Sequence, residues 1–518
     1  MRNQPSHPWR IDLPHIWRFS FPKGIVTVFL CLLTVSKAQS LAERPNVLFI
    51  MADDLNTSLS GFGQPHCQSP HLDRLAESGV TFTHAYSQFP ICGPSRASLF
   101  SGQYPEKNGV TGNGGELHPD RVTLPLHFKN NGYWTGRVSK IYHMGVPGDI
   151  LQGRNGRDHA ASWVERYNVT AMEAITPGKA EDLTGPDSTP LYPQLREKWQ
   201  RQKHSAVDFK VPGNHMGSDF VVTETADDNT LLADGMAADN AIELLRERAG
   251  SEQPFFLAVG FVRPHSPYIA PERDFSPYNA RQLPIPIVPE NDAEDFPPHL
   301  KPHSLSLNKL THQKVLRGYY ASIGYMDRQV GRLLAELDRL DLRKNTIVVF
   351  SSDHGYLHGE HRMWKKKLLW EEAIRTPVII SAPNQKSRGT KCAQLVELID
   401  LYPTVVELAG LQPEPGAQGH SLRPLLDNPL LPHTRRDAFS QTHQGYCLRT
   451  GHWAYMWYPA TKNKQQGSML YDLSIDPKQH RNLTQAPSLR TFQMNLQRRL
   501  QERINQARAE AHGTSLPN

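Results

Sequence analysis

Residues 46–54 read NVLFIMADD and residues 346–355 read TIVVFSSDHG. Each is a continuous apolar run that stops abruptly, the first on two aspartates and the second on an aspartate and a histidine. A strand covered on both faces has no solvent side to fill with polar residues, so it reads as an unbroken run and not as an alternation. Two further stretches have the same form: PFFLAVGFVRPH (254–265), which ends near His265, and TPVIISAP (376–383). Helical patterns lie between them. Ser69-Pro70 is an N-cap followed by proline at the first helical position, Leu72, Leu75 and Ala76 supply an apolar face, and Gly79 ends it. Residues 233–248 and 316–340 read as longer helices, the second through Leu316, Tyr320, Ile323, Val330, Leu333 and Leu337 at near-helical spacing. Strands alternating with helices predict an α/β fold with a large, mostly parallel sheet flanked by helices. Ligands of such sheets bind beyond the carboxyl ends of the strands. Three of the four runs end there in acids or histidines.

The chain has 518 residues, 38% hydrophobic and 21% charged, enough for a sizeable core and more than one domain. Its first 38 residues differ in kind. Arg2, Arg10, Arg18 and Lys23 precede an apolar run over 24–35, and Ser36-Lys37-Ala38 offers the small residues that a signal peptidase reads. The run is roughly 12 residues against the ~20 that a helix needs to span a bilayer, so an export signal is expected over 1–38 and no stable membrane anchor. The destination is periplasmic, extracellular or lysosomal according to the host. Removing this segment's net +4 from the formal +6 leaves about +2, without the basic runs of a nucleic-acid binder.

Beyond Cys31 in that segment, the cysteines are Cys67, Cys92, Cys392 and Cys447. They are widely spaced with no C-x-x-C pair, which excludes a dense disulfide framework and argues against zinc. The spacing leaves open whether Cys392 and Cys447 pair. Asn56, Asn168 and Asn482 open N-x-S/T acceptors for a host that glycosylates exported proteins. The connections over 176–217 and 265–312 exceed simple turns and read as functional loops. From about residue 432 the pattern shifts to short strands, YCLRTGHWAYMWYP and SMLYDLSIDPKQHRNL, and an amphipathic helix over 489–507. The expected organisation is a catalytic domain over 39–431 and a smaller α+β subdomain over 432–518.

Asp53, Asp54, Asp353 and His354 come from two places some 300 residues apart. One Asp-Asp pair at a strand end is commonly a cap or half of a salt bridge; two such pairs at strand ends point to a shared site. Several oxygen donors with one imidazole suit a hard divalent ion, Ca²⁺ or Mg²⁺, with Ca²⁺ the better match.

Cys92-Gly93-Pro94-Ser95-Arg96, followed by ASLFSG, resembles the C-x-P-S-R segment of the type I sulfatases, in which the cysteine is oxidised after translation to Cα-formylglycine. The resemblance runs on through RPNVLFIMADDL, SKIYH, RPHSPY, SSDHGYLHGEH, RTPVIISAP, DLYPTVVELAGL and GHSLRPLL. Ser101 departs from the Thr, Ala or Arg usual before the closing glycine. AVGFVRPHSPY and the MWKKK that follows SSDHGYLHGEH resemble the iduronate-2-sulfatase branch most, as does Asp353-His354 in place of Asp-Asn.

The resemblance implies an alkaline-phosphatase-like fold and a sulfuric ester hydrolase whose nucleophile is the hydrated aldehyde at position 92, matured by a formylglycine-generating enzyme. It implies Ca²⁺ held by Asp53, Asp54, Asp353, His354 and the modified Cys92. Arg96 would orient the diol and offset charge near the metal; Lys140, His143, His265 and Lys366 would contact the sulfate or position 92, with His265 protonating the leaving oxygen. Lys365 and Lys367 stand one register away from Lys366. The expected substrate is a sulfated sugar or polysaccharide, a 2-O-sulfated uronate of a glycosaminoglycan-like chain, with Lys365, Lys367 and Arg449 as cations for its carboxylate. Two other readings compete: a phosphodiester or phosphonate ester hydrolase on the same fold, and a catalytically silent binder of sulfated glycans.

Overall fold

The computed structural model of the chain describes residues 44–173, 176, 178–183, 220–226, 232–302, 307–432 and 435–509. The expected signal over 1–38 and most of the 176–217 connection lie outside the described residues. Among the described residues, no helix is long and apolar enough to cross a membrane.

The main sheet has eight strands: β1 (Asn46–Asp53), β2 (Val80–Tyr86), β3 (Trp134–Ser139), β4 (Glu165–Tyr167), β5 (Phe255–Pro264), β6 (Thr346–Ser352), β7 (Arg375–Ser381) and β8 (Thr390–Glu397). Their spatial order is β8-β2-β7-β6-β1-β5-β3-β4. β1 is central and parallel to both β5 and β6. Its two faces enter two cores, which is why NVLFIMA carries no polar alternation. Leu48, Ile50 and Ala52 pack with the helices α1 (Pro70–Ser78), α3 (Ala233–Arg248) and α4 (Lys309–Arg339). Val47, Phe49 and Met51 pack on the other side with Leu99 and Phe100 of α2 (Cys92–Ser101) and with Tyr402 and Val405. The result is a sheet between two helical layers.

The sheet is mostly parallel, as expected; the TPVIISAP run becomes β7, the strand that lies antiparallel to its neighbours β2 and β6. The carboxyl end of β7 therefore points away from those of β1 and β6, and its run adds no acid to their end. The second long helix begins at Lys309, not near residue 316, because Asn308 caps it by accepting from the Thr311 amide at 2.9 Å.

In the C-terminal subdomain the strands β9 (Ala438–Gln441), β10 (Tyr446–Arg449), β11 (Trp453–Tyr458) and β12 (Gly467–Asp472) form an antiparallel sheet in chain order. The helix α5 (Arg490–Arg508) lays Leu496, Leu500, Ile504 and Ala507 on one face of it. Tyr104 and Ile399 from the main body join that cluster.

The four described cysteines are buried and free, so Cys392 and Cys447 do not pair. The three asparagine acceptors all use their amide hydrogens inside the fold. Asn56 Nδ2 donates to Tyr356 O, Asn168 Nδ2 to Gly153 O and Asn482 Nδ2 to Asp295 O. Asn56 is also buried, which removes it as an accessible acceptor.

Candidate active site

Successive residues of an extended strand face opposite ways. β1 breaks that alternation at its end, where Asp54 takes a left-handed φ of 61° and both carboxylates join the same cluster. The neighbouring strand β6 ends one residue before Asp353, whose Oδ1 accepts from the Asp54 amide at 3.1 Å and the His354 amide at 3.0 Å. Asp53, Asp54 and Asp353 each bring an oxygen to within 4.8 Å of the others. Residues 300 apart in sequence thus meet because β1 and β6 are paired in parallel.

Cys92 opens α2 from the opposite side, with 1% of its surface exposed. Its Sγ lies 3.0 Å from Lys366 Nζ, 3.5 Å from His354 Nε2 and 3.7 Å from Asp54 Oδ1. The thiol is the unoxidised precursor of the aldehyde that the resemblance implies. Burial alone would raise its pKa, but Lys366 and Lys140, with hydrogen bonds from His143 and His265, bring it well below the usual thiol range.

Arg96 lies one helical turn on and is fully buried. Its Nε donates to Asp353 Oδ2 at 2.9 Å; Nη1 donates to Lys140 O and Ile141 O, and Nη2 to Ala52 O and Asp53 Oδ1. Five donors meet five protein acceptors, which exhausts a guanidinium. Arg96 therefore braces Asp53 and Asp353 and offsets their charge, with its five donors taken by these acceptors beside the thiol at position 92.

Lys140 follows β3 through the left-handed Ser139 and is fully buried, its ammonium paired with Asp53 Oδ2. Lys366 Nζ pairs with Asp54 Oδ1 at 2.6 Å. Lys365 is half-buried and Lys367 exposed, so among the three lysines Lys366 is the one whose ammonium enters the cluster. His143 is half-buried and hydrogen-bonds Cys92; burial lowers its pKa. His265 Nε2 lies 3.6 Å from Asp54 Oδ2. Burial would lower the pKa of His265, yet Asp54 and Asp53 turn the shift upward.

The acids shift in opposite directions. Burial would raise Asp53, but Lys140, His265 and Arg96 hold it well below the carboxylate range. Burial pushes Asp353 up to about 7, against His354 and Arg96. Close carboxylates cannot ionise independently, and one of them gives up its proton first.

The cluster fits a hard divalent ion by its donors. Three carboxylates supply oxygens, and His354 Nδ1 at 2.8 Å from Gly355 O leaves Nε2 facing Cys92 and Asp54. A backbone partner of this kind on the far nitrogen is what orients a ligating imidazole.

Ser95 of the C-x-P-S-R segment donates its Oγ to Asp353 O. Other neighbours had no sequence signal. Tyr319 of α4 donates to Asp54 O at 2.9 Å. Asn113 Oδ1 accepts from the Gly93 amide at 2.9 Å, from a loop whose TGNGG composition marks it as a turn and nothing more. Arg449 was expected to meet a substrate carboxylate. Instead it is buried, its Nε 2.8 Å from Glu371 Oε1 and its guanidinium over the Tyr86 ring.

A family model described as Sulfatase matches residues 45–411, and a second, described as N-sulphoglucosamine sulphohydrolase, C-terminal, matches residues 359–506. A protein of Formosa agariphila named Sulfatase is 32% identical over 395 residues, covering 73% of this chain and 71% of that protein. Iduronate 2-sulfatase of Mus musculus is 29% identical over 449 residues, covering 78% of this chain and 75% of that protein. Among solved structures, the phosphonate monoester hydrolase of Agrobacterium radiobacter superposes with a TM-score of 0.70 at 20% identity, covering 90% of this chain and 96% of that one.

Proposed function

The chain belongs to the sulfatase family and is a sulfuric ester hydrolase by that membership, and on this premise we propose that it acts on a 2-O-sulfated uronate at the non-reducing end of a glycosaminoglycan-like chain. The proposal includes export, Ca²⁺ held by Asp53, Asp54, Asp353 and His354, and conversion of Cys92 to formylglycine. One observation supports it above the others: Cys92 sits at the first turn of α2 with Lys366 Nζ 3.0 Å from its sulfur, inside the acidic cluster. An oxidisable side chain between cations and metal-type ligands serves catalysis better than passive binding.

The ion would add positive charge against the non-bridging sulfate oxygens, and the hydrated aldehyde at position 92 would supply the nucleophilic oxygen. The chain's own residues do the rest. Lys140 and Lys366 offer ammonium groups to the sulfate oxygens as charge builds on them. His143, kept neutral by burial, is placed to accept a proton from the side chain at position 92. His265, its pKa raised by Asp54 and Asp53 against burial, is placed to donate one to the leaving alcohol. Two histidines pushed in opposite directions divide the base and acid roles. Asp53, braced with Asp353 by Arg96, holds Lys140, and Asp54 holds Lys366, which keeps the two ammonium groups apart.

The uronate rests on the iduronate 2-sulfatase relatives at 29% identity. With Arg449 committed to Glu371, the reading of the uronate carboxylate rests on the exposed Lys367 beside Lys366. The test is a panel of 2-O-sulfated uronate disaccharide, 6-O-sulfated hexosamine, aryl sulfate, and a phosphate ester of the same alcohol as the aryl sulfate. The highest kcat/KM on the uronate supports the proposal. Preference for a sulfated hexosamine removes the uronate and keeps the sulfatase; preference for the phosphate ester favours the hydrolase alternative. No turnover, with retained binding, means a silent binder. Aldehyde trapping on the peptide over 91–96 checks the modification directly.

A further inference from the structure

A second cluster of ligand-type side chains shares no residue with the first. A carboxylate oxygen of Asp292 and one ring nitrogen each of His361 and His480 lie within 4.8 Å of one another. The three come from separate segments: the loop before Pro297, the turn that closes SSDHGYLHGEH, and the chain after β12 in the C-terminal subdomain. Asp292 is 2% exposed and His361 fully buried, while His480 is half-buried. His361 is held in place by a left-handed φ of 55° and by stacking on Trp370, ring centroids 4.6 Å apart and 18° between planes. Its Nδ1 lies 3.1 Å from Asp292 Oδ2.

That contact leaves two lone polar atoms. Asp292 Oδ1 and His361 Nε2 are buried with no hydrogen-bond partner among the described residues. A buried carboxylate oxygen and a buried imidazole nitrogen each cost free energy when unpaired, and the pair forming only one contact is poorly satisfied. A cation among the three side chains would take the lone carboxylate oxygen as a ligand.

We propose that Asp292, His361 and His480 form a second metal site, which takes Zn²⁺. Two imidazoles and one carboxylate are a borderline donor set that favours Zn²⁺ over the hard Ca²⁺ of the first cluster. The site has three protein ligands and an open fourth position, as catalytic zinc sites do, but here its three members join the main body to the C-terminal subdomain. Zinc–ligand bonds of ~2.0–2.1 Å bring ligand atoms closer than 4.8 Å, and His480, the half-exposed member, is the one that moves. His480 also lines a cavity of about 460 Å³ with Asn56, Ser58, His358 and Glu360, so the metal would fix one wall beside the segment that follows Asp54.

The experiment uses the full chain with saturating Ca²⁺ and Cys92→Ala, so that neither the first cluster nor its thiol competes for zinc. Zn²⁺ content after dialysis and the Zn²⁺-dependent rise in Tm are measured for this protein and for the same protein carrying His480→Gln or Asp292→Asn. His66→Gln, at an exposed histidine elsewhere, is the control. The expected result is one Zn²⁺ per chain and a Tm that rises with zinc. His480→Gln and Asp292→Asn should weaken binding by roughly tenfold or more, and His66→Gln should not. Because His480 is half-exposed, its variant remains informative even if Asp292→Asn fails to fold. Absence of zinc retention, or retention unchanged in His480→Gln, overturns the proposal.

Discussion

Lys365 and Lys367 both adopt left-handed φ values, 77° and 70°, and this backbone delivers Lys366 alone of the three to Asp54 and Cys92. Lys366→Ala should therefore lower kcat by roughly 10²–10³, the loss typical of one donor to a developing anion, while Lys367→Ala stays within about twofold. Steady-state kinetics on an aryl sulfate, which carries no carboxylate for Lys367, decide between them, and equal losses would remove the assignment. Cys92→Ala should abolish turnover with the far-UV circular dichroism unchanged, because it removes the thiol through which Cβ is oxidised and leaves a methyl group that cannot become the nucleophilic diol. Residual turnover within about tenfold of wild type would place the chemistry elsewhere. The sequence made the types and approximate places of these residues legible, since acids and histidines at strand ends are unusual in a buried run. The lysine register was beyond it, because two left-handed residues decide the register and lysine carries no such signal. Arg96 shows the same limit: its position was readable, but its five acceptors are mostly backbone carbonyls, which no side-chain motif encodes.

Elements set the site by how closely they approach. β3 and β5 run side by side, and a Cβ on Gly260 would stand 2.0 Å from Lys140 O. Gly260→Ala must push the strands apart or rotate Lys140, so we expect about 1–3 kcal/mol of destabilisation and a fall in kcat, whereas Gly114→Ala, in open space, changes neither. Urea melts and kcat of both variants check this; a silent Gly260→Ala would mean that the strands yield without moving the lysine. The start of α1 is set from outside: Asp327 of α4 accepts from the His71 and Leu72 amides at 3.0 and 2.8 Å. Burial pushes Asp327 up to about 7 from 3.8, against those two amides. A carboxyl with a raised folded pKa binds its proton more tightly when folded, so its contribution is full below pH ~4 and is lost as pH rises toward 7. Between about pH 4 and about pH 7.5 the urea midpoint of Asp327→Asn should fall less than that of wild type; an identical fall excludes Asp327 as the source. Periodicity, with Pro70 and Gly79 at the ends of α1, was enough to bound α1 and α3 from the sequence, although the Ser69 side chain does not make the cap expected of it. The direction of β7 and the Asp327 cap were not, since an apolar run reads the same in either direction and a cap donated by another helix leaves no local trace.

Over the whole molecule, the C-terminal subdomain is tied to the main sheet by ions that no local pattern announces. Arg435 Nη1 lies 2.6 Å from Glu397 Oε2, and Nη2 pairs with Asp400 Oδ1; both acids are fully buried at the end of β8. Arg503 of α5 adds 3.0 Å contacts to Glu397 Oε1 and Asp437 Oδ1, and donates to Tyr104 Oη from some 400 residues away. In the sequence these are an Arg-Arg dipeptide and a polar position on a helix, each reading as solvated surface, because what desolvates them is the packing of α5 and β9–β12 against the main body. A buried pair contributes little net stability when intact but costs heavily when one partner is removed, since the other charge stays buried. Arg435→Ala leaves Glu397 and Asp400 without the guanidinium that bridges them, so we expect a loss of about 3–5 kcal/mol. The variant lies outside the Cys92 cluster, so kcat of the folded fraction should hold. The loss should also appear in one transition, because Tyr104 and Ile399 of the main body share a core with Phe439, Leu470 and Leu496. Urea unfolding followed by tryptophan fluorescence and by activity tests both points. Coincident curves shifted together carry the argument, while an early partial transition that spares activity would show that the subdomain folds and melts on its own.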